Sequence, residues 1–126
     1  MKNLGELMTG DLVSVAPEDT LGEAAEQMAG QGVGSAIVLD HGRLIGILTE
    51  RDLLKAVAGR VHTSEARVRE WMTEDPITAS ESTTGEEAIR TMLDNGFRHL
   101  PVVEGGRTVG VVSLRECIQD AVEPGQ

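Results

Sequence analysis

Shifting the chain by 64 positions lays its second half on its first without a gap. Met8-Thr9 then meets Met72-Thr73, Thr20 meets Thr84, Glu23-Ala24 meets Glu87-Ala88, and Met28 meets Met92. Further along, Gly32 meets Gly96, Val38 meets Val102, Arg43 meets Arg107, Gly46 meets Gly110, and Arg51 meets Arg115. A register held over so many positions marks an internal duplication. Each half is under about 60 residues, a length that is marginal alone, so the halves are expected to share a core as one pseudo-symmetric unit.

Within the first half, Leu4 to Met8 reads as a short helical lead-in and Leu12 to Val15 as a short strand stopped by Pro17. Thr20 with Glu23 makes a capping box, and Leu21, Ala24, Ala25, Met28 and Ala29 then recur on one helical face up to about Gly30 to Gly32. Ser35 to Leu39 is a short apolar run bounded by turn residues, the pattern of a buried strand. Asp40-His41-Gly42 turns it back into a strand from Leu44 to Leu48, and Thr49 caps a helix to about Ala58.

The second half repeats the order. A strand is expected near Ile77-Thr78, a helix from Thr84 with Ala88, Ile89, Met92 and Leu93 inward, strands Leu100 to Val103 and Thr108 to Val112 around Glu104-Gly105-Gly106, and a helix from Ser113 to about Val122. The polar stretch 59–67 reads as a linker into a short helix around Val68 to Met72. The expected division is a first motif over 4–58, the linker, and a second motif over 68–123, each β-α-β-β-α in a mixed α/β fold.

The most distinctive stretch is Gly46-Ile47-Leu48-Thr49-Glu50-Arg51-Asp52, repeated as Gly110-Val111-Val112-Ser113-Leu114-Arg115-Glu116. It is a strand running straight into a helix, with a hydroxyl residue as N-cap and an acid three positions later. Such a junction presents backbone N–H groups to anions. The same spacing is also a capping box that needs no ligand, and both readings stay open for Thr49/Asp52 and Ser113/Glu116.

Charge narrows the partners. The 126 residues carry a formal charge of −10, which argues against nucleic acid or an anionic membrane surface, where affinity rests on Lys and Arg. The single Cys excludes an internal disulfide and fits a reducing compartment. With no apolar leader and no run near the roughly 18 apolar residues of a membrane span, the expectation is a soluble cytoplasmic protein. Cys117 falls beside Ile118 and Ala121 on an apolar face and reads as core. His41 and His62 have no Cys or His neighbours at metal-ligand spacing, and no coupled acid, base and nucleophile set is visible, so neither a metal site nor an enzyme is expected.

The tandem β-α-β-β-α order, the Met-Thr openings, the strand Arg98-His99-Leu100-Pro101-Val102-Val103 and the doubled Gly-aliphatic-aliphatic-hydroxyl ending resemble a pair of cystathionine-β-synthase (CBS) domains over nearly the whole chain. That resemblance implies pseudo-two-fold symmetry with two clefts between the halves. It also implies binding of an adenosine-containing ligand (AMP, ADP or ATP, less readily S-adenosylmethionine or NAD) and pairing into homodimers through helices. In nucleotide-binding members of the family the hydroxyl residue contacts phosphate and the acid contacts ribose.

By position, this implies Thr49 and Asp52 as binders, with Val13, Ser14, Val15, Ala36, Ile47 and Leu48 as walls of one cleft. The other cleft would use Ser113 with Ile77, Thr78, Leu100, Pro101, Val111 and Val112. Arg98 and His99 match basic residues that contact phosphate in the regulatory subunit of AMP-activated protein kinase. The chain departs from the family in two places: Glu116 stands where Asp is usual, and Gly34-Ser35 replaces the basic pair in the first repeat. One occupied site is therefore expected. The leading expectation is a regulatory module that senses an adenine nucleotide and acts on an unknown protein partner in trans; the alternative is a ligand-independent interaction module using exposed helix faces.

Overall fold

The structure, a computed structural model, describes residues 2–8 and 12–122. The expectations for Thr9 and for the second motif's end at residue 123 lie outside the described residues. In chain order the elements are α1 (Leu4–Leu7), β1 (Ser14–Val15), α2 (Leu21–Gln31), β2 (Ser35–Asp40), β3 (Arg43–Thr49), α3 (Glu50–Ala58), α4 (Val68–Trp71), β4 (Thr73–Glu74), α5 (Gly85–Asn95), β5 (His99–Glu104), β6 (Arg107–Ser113) and α6 (Leu114–Val122).

Two compact units result, one from residues 11–76 and one from residues 1–10 with 77–126. Most of the buried apolar side chains gather in two clusters, one in each unit. In the first unit Leu21, Ala24, Met28, Val38, Leu48, Ala56 and Val68 pack together; in the second Leu4, Ala88, Met92, Leu100, Val102, Val112 and Cys117 do.

Each unit is completed by a lead-in helix that precedes the other repeat in sequence. Leu4 N–H donates to Thr83 O (2.8 Å), Gly5 N–H to Glu81 O (3.0 Å) and Gly85 N–H to Lys2 O (3.1 Å). Their counterparts 64 residues away make the same bonds in the other unit: Val68 to Asp19 (2.8 Å), Arg69 to Pro17 (2.9 Å) and Leu21 to Ala66 (2.9 Å). Arg67 Nη1 also donates to Glu18 O at 3.0 Å, and the Arg69 guanidinium pairs with the Glu18 carboxylate.

The main helices begin as their sequences dictate. Thr20 and Thr84 adopt extended backbone and accept from the N–H of Glu23 (3.1 Å) and Glu87 (3.2 Å), while each glutamate takes the cap N–H at 2.9 Å. These bonds hold both carboxyls below the ordinary 4.5, backbone donation first and the threonine hydroxyl second. Gly32 and Gly96, at φ of 68° and 75°, end the two helices in the left-handed conformation that glycine adopts without a Cβ clash.

The hairpins match as well. β2 and β3 pair antiparallel with a register shift at Val38/Leu39, and β5 and β6 shift at the equivalent Val102/Val103. Strand pairing then diverges between repeats. β1 runs parallel to β2, with Ile37 N–H donating to Val13 O at 2.9 Å. The residue equivalent to Ile37 is Pro101, which has no N–H, so the strand expected at Ile77-Thr78 does not form. What remains is a bridge at Ala79, held by Ala79 N–H to Pro101 O (2.9 Å) and Val103 N–H to Ala79 O (2.8 Å). In the first unit a strand not expected, β4, adds to β3 through Gly46 opposite Glu74 and Ile47 opposite Thr73.

Three helix faces also differ from expectation. Leu93 is 63% exposed and Ile118 42% exposed, and Ala29 and Ala121 face outward. The inward stripes are narrower than the apolar patterns, since Leu21, Ala24 and Met28, or Ala88 and Met92, already fill the space over two short strands.

Candidate functional site

The site is built where β3 becomes α3. Thr49 is the last strand residue and the helix N-cap, with extended φ of −121° and ψ of 165°, which turns its side chain back over the first helical turn. The Asp52 carboxylate answers with one oxygen. Its Oδ2 accepts from Thr49 N–H at 2.8 Å and from Thr49 Oγ1–H at 3.1 Å, and the Asp52 N–H lies 3.4 Å from Thr49 Oγ1. No hydrogen bond among the described residues engages Oδ1. The result is a half-buried carboxylate fixed from one side at a helix N-terminus, with its second oxygen uncommitted.

The equivalent junction between β6 and α6 is built differently. Glu116 Oε1 accepts from Ser113 N–H at 2.9 Å, and Ser113 Oγ accepts from Glu116 N–H at 3.1 Å. The serine hydroxyl makes no bond to the carboxylate among the described residues. The cap N–H is thus the hold on Glu116 at this junction.

Strand alternation sorts the other candidate residues into two groups. Val13, Val15, Ala36 and Leu48 belong to the first unit's core cluster, which places them behind the junction, packed toward the helices. Ser14, Ile37, Ile47 and Thr49 share the opposite sheet face, because Ser14 is registered with Ile37, Ile37 with Ile47, and Ser35 with Thr49. The second unit repeats the division. Leu100 and Val112 are core, whereas His99, Pro101, Val111 and Ser113 share the other face. Ile77 and Thr78 are exposed coil.

Arg98 is exposed and its carbonyl accepts from Leu114 N–H at 2.8 Å, which sets Arg98 and His99 at the start of α6 in their own unit. In the first unit Gly34 O accepts from Glu50 N–H at 3.0 Å, so Gly34-Ser35 occupies the same position beside Thr49. Ser35 was not singled out as a site residue, although it is the buried polar side chain of this face, 8% exposed. Its signal was the hydroxyl standing in an otherwise apolar strand, Ser35-Ala36-Ile37-Val38-Leu39.

Next to the second junction, Cys117 is buried at 1% exposure. Burial, then the carboxylates of Glu116 and Asp120, push its thiol up to about 11, which leaves it without thiolate character near neutral pH.

Comparison with known proteins agrees with this architecture. The CBS-domain sequence signature matches twice, at residues 4–59 and 68–123. An uncharacterized 17.7 kDa protein of Acidianus ambivalens is 37% identical over 115 residues, covering 90% of this chain and 69% of that protein. Among solved structures, a CBS-domain containing protein from Agrobacterium tumefaciens superposes with a TM-score of 0.87 at 32% identity, covering 95% of this chain and 99% of the other. A CBS domain protein from Pyrobaculum aerophilum, complexed with AMP, superposes with a TM-score of 0.83 at 30% identity, covering 90% and 88%. The chain spans 63% of the length of a Methanopyrus kandleri relative, so what longer relatives do as whole proteins is a separate matter.

Proposed function

We propose that this chain, which belongs to the CBS-domain family, is a regulatory module that binds an adenine nucleotide at the β3–α3 junction and acts on a protein partner in trans. The observation that carries this reading is the Asp52 carboxylate, held by Thr49 through Oδ2 with Oδ1 left uncommitted. A ribose offers two neighbouring hydroxyl donors, and a desolvated carboxylate accepts such bonds with about 1.5–3 kcal/mol each. The N-terminus of α3 favours a phosphate nearby; Arg98 and His99 hold the corresponding place beside α6 in their own unit. The AMP bound to the Pyrobaculum aerophilum protein supports the ligand class.

Ligand binding to one packing arrangement in preference to another would be the regulatory output, in a cytoplasmic setting and without turnover of the nucleotide. The test is titration of AMP, ADP, ATP, S-adenosylmethionine and NAD followed by Trp71 fluorescence. Saturation by at least one adenine nucleotide is expected; no response to any of the five, in calorimetry as well, contradicts the reading.

A second reading, a ligand-independent association module, is favoured by one observation. Leu54 (68% exposed), Val57 (61%), Leu93 (63%) and Val122 (70%) leave apolar side chains on α3, α5 and α6 uncovered. Homodimers that form with equal affinity with and without nucleotide support it.

A further inference from the structure

We infer that Met72 and its counterpart Met8 are oxidation sites of this protein: a peroxide converts each seated thioether to a sulfoxide, and the sulfoxide loosens the lead-in helix from the unit it completes. This chemistry is independent of nucleotide binding.

The seat is what makes the sulfur matter. Met72 Sδ fills the side-chain place of Gly46, since a β-carbon there would lie 2.6 Å from Sδ and 3.1 Å from Cγ. The Thr73 carbonyl oxygen stands 3.0 Å from the same point, which closes the seat on a second side with a hydrogen-bond acceptor. Met72 also packs against the first unit's core, as Met8 does against the second's. Beyond Met72 the attachment to β3 is short. β4 pairs Thr73 with Ile47 and Glu74 with Gly46, and Asp75 N–H donates to Ile45 O at 3.1 Å.

Among the described residues the seats are also where an oxidant meets sulfur. Met28 (3% exposed) and Met92 (0%) are buried in the two cores, whereas Met8 and Met72 are half-buried. Cys117, at 1% exposure and with its thiol pushed up to about 11, offers no thiolate. In the reaction a lone pair on Sδ attacks one oxygen of hydrogen peroxide, and the O–O bond breaks as the S–O bond forms. The leaving hydroxide takes the proton of the transferred oxygen and departs as water, so the sulfur loses two electrons and the peroxide gains them. The sulfoxide is larger and polar. It meets the Gly46 backbone on one side and the Thr73 carbonyl on another, so an acceptor faces an acceptor and an apolar contact becomes an unsatisfied polar one.

The experiment exposes the folded chain to excess hydrogen peroxide at neutral pH, follows each methionine by peptide mass spectrometry, and measures Tm at each time. Met8 and Met72 should gain oxygen at least about tenfold faster than Met28 and Met92, as their exposure dictates. Tm should fall by about 4 °C or more as they do. The variant combining Met8→Leu with Met72→Leu keeps apolar volume without an oxidisable sulfur at either seat, so the same treatment should leave its Tm unmoved. Equal rates at all four methionines, sulfoxide at Met8 and Met72 without a fall in Tm, or an equal fall in the leucine variant overturns the inference. The first two comparisons use the wild-type chain alone, so they decide the matter even where the leucine variant fails to fold.

Discussion

A β-carbon on Gly46 would lie 2.6 Å from the sulfur of Met72. The symmetric relationship holds in the other unit, where a β-carbon on Gly110 would lie 2.6 Å from Met8 Sδ. These contacts explain why a glycine opens each junction motif. The methionine that precedes one repeat is seated on the last strand of the other, and only a residue without a side chain leaves room for it.

At Gly46 the carbonyl of Thr73 also stands 3.0 Å from the added carbon. A thioether chain can rotate away and a backbone carbonyl cannot. Gly46→Ala should therefore destabilise the protein by about 1–3 kcal/mol. Urea denaturation of the variant checks this; an unchanged midpoint would contradict it.

Acid should weaken the caps of α2 and α5. Glu23 and Glu87 are held below their ordinary 4.5 when folded, so their contribution to stability is present above that value and is lost as pH falls through the folded values. Thr20→Ala and Thr84→Ala should each cost about 1 kcal/mol near neutral pH. Glu23→Gln combined with Glu87→Gln should flatten the loss of stability below pH 4.5, measured as urea midpoints down to pH 3. A double variant with the same pH profile as the wild type would count against this account of the caps.

Cys117 should be inert in the native state. At 1% exposure and with its thiol pushed up to about 11, it should react with a disulfide reagent at pH 8 only in denaturant. Stoichiometric labelling of the native protein within a minute would show that the core around α6 opens readily.

Much of this architecture is legible in the chain because duplication doubles every signal. Thr20-x-x-Glu23 alone is a common pattern; with Thr84-x-x-Glu87 in register it marks where both main helices start. Helix faces were less legible. Leu93 continues the apolar pattern of α5, but Ala88 and Met92 already fill the space beneath, and periodicity carries no record of how much surface there is to cover. The missing strand at Ile77-Thr78 had a visible cause in Pro101, whose lost N–H acts two strands' pairing away from where it stands in sequence. The exchange of lead-in helices had no local signal, since Met8 and Gly110 are brought together only by folding. At the site, spacing pointed to Thr49 and Asp52, but the difference between the two junctions lies in the second bond, from the Thr49 hydroxyl to the carboxylate, and that appears only in three dimensions.

The most direct test of the central claim is calorimetric titration of AMP into the wild-type chain and into Asp52→Asn. The asparagine keeps an oxygen for the Thr49 N–H, so the helix cap survives while the negative charge is removed. The account predicts one AMP bound per chain by the wild type and at least about tenfold weaker binding by the variant, the loss expected for a charge-assisted bond to ribose. Equal affinity in the two proteins, or no binding by a folded wild-type chain, would contradict it and leave Thr49 and Asp52 as a helix cap alone.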